Sequence, residues 1–238
     1  MTPVPEAGSI RVGGAALVLA ALGFTGVFLY LAVRFDYPDV LDAPATTALP
    51  ALLDMGAAGR AAWALYGLLP LLLIPAAVGA YAALRERQEG LMRTAVLLAL
   101  VASVTMMLGL LRWPSVQWEL ALAWAGAGED ERVVLAAVFD GLNRYLGTYL
   151  GEFVGELCLN AFFILTGVAM WRGAGFARWV APLGIAAGAL GWIAMWRNVT
   201  DVVAPAAAFN NAVLPIWLLI FGVGLVRLSR RQRVRDER

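Results

Sequence analysis

The chain has no histidine, no lysine and a single cysteine, Cys158. An intrachain disulfide is therefore impossible, as are a Cys/His zinc site and a histidine-ligated haem. Charge is also scarce. Charged residues make up 15% of the 238, against about a quarter in a soluble domain, while 61% are hydrophobic and the mean hydropathy is +0.76. That balance excludes an ordinary cytosolic globule, a disordered chain and a nucleic-acid binder. No nucleophile–base pair, metal cluster or phosphate loop is visible, so no cofactor and no metal are expected. An enzyme is the least favoured class, with only a carboxylate-only site left open.

What the chain does have is long apolar runs. A helix needs about 20 such residues to cross the hydrocarbon core. Runs over 12–33, 61–84, 91–111, 179–196 and 209–226 come up to or near that length, and a sixth, 146–171, is apolar except for Glu152, Glu156 and Asn160. The first run is too long for a signal h-region and is read as retained. In lipid every backbone group must be satisfied within the segment, so the expected fold is all-α. It is a polytopic six-helix bundle forming a single membrane domain over 1–238. The turns after the second and fourth runs, the tail and Arg11 together hold twelve arginines and five acids; the other side holds six arginines and twelve acids. The positive-inside rule then places both termini in the cytoplasm. The loop over 34–59 is rich in proline and acid, and a short surface helix is expected near 46–55. Residues 132–145 read as helix leading straight into the fourth span.

The fourth span carries the informative pattern. Asp140, Arg144, Thr148, Glu152, Glu156 and Asn160 recur every four residues, and Gly147, Gly151 and Gly155 run beside them. Each four-residue step drifts by about 40° on a helix, so the carboxylates stay close to the glycine seam. Glycines at this spacing allow helices to approach closely, which turns the acids toward protein or an internal water pocket. Arg34, Arg112 and Arg197 end outward-going spans, and Arg60 and Arg144 stand at outer starts. These five are expected to ring the outer mouth. One reading is an outward-open polar cavity, with arginines holding an anionic group and Glu152 and Glu156 an amine or a proton. The other is a structural ion-pair network. Glu152, Glu156, Asn160, Arg144, Asp140, Arg112, Arg197 and Arg34 are the candidate ligand-binding residues.

Weaker features have plainer readings. Pro70 and Pro75 read as tolerated kinks repaired by neighbouring helices. Gly184, Gly188 and Gly191 read as packing within the bundle or between protomers. Asn210 and Asn211, at the outer start of span six, read as caps in preference to a cavity lining, and Cys158 reads as a buried small residue.

The run Val138-Phe139-Asp140-Gly141-Leu142-Asn143-Arg144-Tyr145-Leu146-Gly147, followed by Gly151-Glu152-Phe153-Val154-Gly155, resembles the hallmark of a bacterial family known only as a domain of unknown function. Tyr37-Pro38-Asp39-Val40, Leu110-Leu111-Arg112-Trp113-Pro114 and the stretch from Trp217 to Arg227 resemble the same family. The resemblance implies a six-span protein of the bacterial inner membrane and brings no activity, cofactor or substrate. Members often carry histidine after the first motif glutamate; this chain has Phe153 there. Three functions remain open: a ligand- or lipid-binding or sensory protein; a small proton-coupled transporter with Glu156 titrating; and a structural or assembly subunit. Membrane lipids, a small-molecule ligand and a second copy of the chain are the expected partners, with no nucleic acid.

Overall fold

The computed structural model describes residues 6–173 and 175–236. Glu237 and Arg238, counted above in the tail's charge, lie outside the described residues. Among them there is no strand, and six helices are long and apolar enough to cross a membrane. The spans are Ala7–Phe35, Gly56–Glu86, Gln88–Gly126, Glu129–Arg172, Val180–Asn198 and Asp201–Gln232. With an even number of crossings, both ends of the chain reach one face of the bundle, called here the terminal face. The long connections gather at the other, the loop face.

Helix α1 (Glu6–Phe35) lies antiparallel to α9 (Ala204–Asp236) and also packs on the start of α4 (Leu73–Leu111). The close crossings are made by glycine meeting glycine. A Cβ on Gly13 would lie 2.7 Å from the Gly79 Cα, and one on Gly14 2.6 Å from the Gly222 carbonyl. Such contacts suit a bundle in lipid, where packing rather than water exclusion holds helices together. Between α3 (Gly56–Leu68) and α4, a 3-10 turn at Leu69–Leu72 contains Pro70. The Ser103 hydroxyl of the third span donates to the Pro70 carbonyl at 2.8 Å, so a neighbouring helix occupies the break. The chain bends again at Gln88 (φ −140°, ψ 42°), which separates the second and third spans within α4.

The loop face is closed by a cap. Helix α2 (Ala45–Asp54), close to the surface helix expected from sequence, packs on α5 (Val116–Gly126) and α6 (Glu129–Leu142). Beneath them lies an aromatic cluster. Trp63 stacks on Trp113 with centroids 5.1 Å apart, and Phe35 meets both rings edge-on.

Span four differs from an uninterrupted α-helix. After α6 the backbone becomes a π-helix over Asn143–Val154 and then α7 (Gly155–Arg172). The continuity matches the sequence reading; the change of pitch is new. Span six corrects another reading. Helix α9 begins at Ala204, so Asn210 and Asn211 lie inside it, and Asn210 is buried. The alanines at 204 and 206–208 favour helix, and Pro205 is tolerated in the first turn, where its missing N–H has no helical acceptor. Thr200 instead caps the short turn Asp201–Val203.

Candidate functional site

The π-helical stretch faces span three through its glycines. Gly151 crosses Gly109 so closely that a Cβ on Gly109 would lie 2.7 Å from the Gly151 Cα. Gly155 faces Met106 and Thr105. At Gly147 the space a Cβ would need is taken by the Arg112 guanidinium. The glycine seam read from sequence is therefore a real interface, and it fixes where the neighbouring carboxylates emerge.

They emerge toward α8 (Val180–Ala194) and the 3-10 turn that follows it, Met195–Asn198. Arg197, on that turn, forks onto Glu156: Nη2 donates to Oε1 at 2.6 Å and Nη1 to Oε2 at 2.8 Å. Nη2 also donates to Glu152 Oε2 at 3.0 Å. Two carboxylates thus share one guanidinium. The side chains remain 17% (Glu156), 26% (Glu152) and 29% (Arg197) exposed, so the group is neither sealed nor open. Glu152 Oε1 carries no bond to a described residue. Aromatic rings border the cluster on the same two segments. Phe153 meets Trp196 at 5.4 Å and 82°, and Tyr149 meets Phe153 at 6.4 Å. Among the described residues no group of three or more His, Cys, Asp or Glu gathers.

Below this cluster the inward side of the helix is buried. Asn160 is buried; its Nδ2 donates to the Glu156 carbonyl at 2.7 Å, and its side chain fills the space above Gly191. Toward the terminal face, Phe162 and Phe163 are fully buried and the Thr166 hydroxyl donates to both their carbonyls.

Of the eight candidate residues the structure brings together Glu152, Glu156 and Arg197, with Asn160 beneath. Arg112 makes no hydrogen bond to either carboxylate. It is only 4% exposed, and its Nε donates to Asn143 Oδ1 at 2.9 Å, with a further bond to the Gly109 carbonyl. Asn143 Nδ2 in turn donates to the Leu41 carbonyl at 2.8 Å, which ties the loop-face cap to span four. Arg112 is thus already occupied by the protein. Arg34 is exposed and lines a separate cleft of about 340 Å³ with Asp36, Asp39 and Thr47. Asp140 and Arg144 are exposed, away from the cluster, and make no bond to a described residue. Arg60, expected in the same ring, pairs with Glu119 at 3.5 Å and lies 5.0 Å from the Trp118 ring centroid. The five-arginine ring therefore resolves into separate contacts.

Sequence reasoning missed two residues. Tyr37, which follows Asp36 in a left-handed turn (φ 53°), inserts between Phe28, Trp63 and Tyr66. Burial pushes its phenol up to about 12 and the Glu152 charge adds to this, against the Tyr66 hydroxyl and the charges of Arg112 and Arg197. The only sequence signal for Tyr37 was its place in the Tyr37–Val40 motif. Tyr66 carried none.

No curated protein and no solved structure matches the chain. A family model does match, over residues 12–222, described as Domain of unknown function (DUF4386). The chain belongs to this family. The match runs from the first span into the sixth and includes every residue of the cluster, in keeping with the resemblance read from the motifs.

Proposed function

We propose that this integral membrane protein is a binding protein for a ligand bearing an ammonium group, taken up at the loop face by Glu152 and Glu156. The observation that carries this reading is the charge balance of the cluster. Two carboxylates converge on the single guanidinium of Arg197, one carboxylate oxygen has no bond to a described residue, and the side chains stay partly exposed. An ionised carboxylate inside a membrane span is costly unless something pairs with it. A second cation beside Glu152 supplies that pairing. The rings of Tyr149, Phe153 and Trp196 border the same place, and aromatic faces attract ammonium groups. The anionic half of a zwitterion is less well provided for, because Arg112 is committed to Asn143 and Gly109.

The arginine-rich terminal face lies in the cytoplasm in this proposal, and the loop face in the periplasm of a bacterial inner membrane. The excess of arginine on one side and of acid on the other supports that orientation. The buried, largely apolar half of α7 beyond Asn160 favours binding over proton-coupled transport.

The test uses the protein in nanodiscs and a short-chain alkylammonium below its micellar concentration, with the alkyl phosphate of equal chain length as control. The chain has nine tryptophans, so binding is read as the part of the tryptophan fluorescence change that is lost in Trp196→Phe. Glu152→Gln is expected to weaken ammonium binding about tenfold, the loss of one charge-assisted contact, and to leave the phosphate response unchanged. Equal responses to both amphiphiles, or ammonium binding untouched by the substitution, would overturn the proposal.

A further inference from the structure

At the opposite end of the molecule a groove runs up the side of α9. Its volume is about 310 Å³, at the lower end of small-molecule sites. The turn between spans four and five builds one wall. Gly175, at φ 119°, adopts a conformation open to glycine, and the next residue, Phe176, packs on Gly224 and lies 6.3 Å from the Phe221 ring. Because Gly224 has no side chain, Phe176 can approach the helix backbone there; a Cβ would lie 3.0 Å from its ring. Along α9 the floor is Ile220, Val223 and Gly224. The same stripe then changes character, since Arg227 and Arg231 follow at helical spacing and line the mouth. Both arginines are exposed and make no bond to a described residue. Trp179 stands across from them, also exposed, as tryptophans at a headgroup boundary do.

An apolar channel that ends in two exposed guanidiniums beside a tryptophan matches one kind of molecule along its whole length. We propose that this groove holds an anionic phospholipid, with its phosphate between Arg227 and Arg231 and one acyl chain along Ile220, Val223 and Phe176. Guanidinium binds phosphate oxygens through paired, charge-assisted hydrogen bonds. Cationic side chains at this level also draw anionic lipid to the membrane surface. What distinguishes a site from such general attraction is the groove, so the test must separate the two.

Native mass spectrometry of the detergent-solubilised protein with added phosphatidylglycerol reads retained lipid directly. Phosphatidylcholine of the same acyl chains is the zwitterionic control. The wild-type protein is expected to retain phosphatidylglycerol over phosphatidylcholine, and the double variant Arg227→Ala/Arg231→Ala to lose at least about tenfold of that retention. Val223→Trp, at an exposed position, fills the groove and leaves both guanidiniums in place; it is expected to lose retention as well. Undiminished retention by Val223→Trp would reduce the arginines to general surface attraction and overturn the proposal. Equal retention of the two lipids would overturn it too, as would inorganic phosphate raising the wild-type melting temperature as much as phosphatidylglycerol does. Val223→Trp and the double variant should elute as the wild type does on gel filtration, and a melting temperature unchanged without lipid separates lost binding from lost folding.

Discussion

At the scale of single residues, Arg197 has the most to lose. It satisfies both carboxylates of the cluster, so Arg197→Ala leaves two acids unpaired at a partly buried place, whereas Glu152→Gln removes one contact of three. Removing one partner of a buried pair costs more than the pair is worth. Because the groups are roughly a quarter exposed, the penalty should fall below the fully buried range, at about 2 kcal/mol. Thermal unfolding in nanodiscs should rank the variants with Arg197→Ala lowest, Arg197→Lys next, because a point charge cannot fork, and Glu152→Gln nearest to wild type. Tyr37 makes a prediction of a different kind. Its folded pKa of about 12 lies above the ordinary value of 10, with burial the main cause. The neutral phenol is the form the fold favours. Its contribution is whole below pH 10 and is lost as pH rises toward 12. Absorbance titration at alkaline pH should lose one tyrosine's share of the late tyrosinate signal in Tyr37→Phe.

At the scale of elements, the glycine crossings hold the helices at their distances. Gly109 meets Gly151 backbone to backbone, so neither side has a flexible atom to yield. Gly109→Ala is expected to destabilise the protein by about 1–3 kcal/mol, the range for overpacking, and to separate span three from the π-helix. Gly26, with open space around its Cβ position, is the control; Gly26→Ala should leave the melting temperature within a degree or two of wild type or raise it. The seam was legible as Gly147, Gly151 and Gly155, because the spacing of small residues is a property of the chain. The π-helix was not. An α and a π pattern share the same apolar content over a dozen residues, and the choice between i→i+4 and i→i+5 bonding depends on what the backbone packs against. The start of α9 was misread for a related reason. Hydropathy marks where lipid begins, but helix persists wherever propensity allows, and Ala204–Ala208 carried it past the membrane boundary.

At the scale of the whole molecule, the spans and their asymmetry of charge give a topology that labelling can check. Cys158, the single native cysteine, is buried, so introduced cysteines report against a quiet background. Cysteine at exposed Gly128 should react with an impermeant maleimide in intact cells, and cysteine at exposed Gly90 only after permeabilisation. The reverse pattern would invert the proposed orientation.

The sequence by itself determined that this chain crosses a membrane six times, which helices carry small-residue seams, and which two acids lie where acids are costly. Those are consequences of composition and spacing, and they hold for any packing of the spans. Which cation each acid meets was a different matter. Arg112 and Arg197 end their spans alike, with the same chemistry beside the same kind of interface. Only the tertiary structure sent one to Asn143 and the Gly109 carbonyl and the other to Glu152 and Glu156, because the partner of a charge depends on which helix lies against which and at what height.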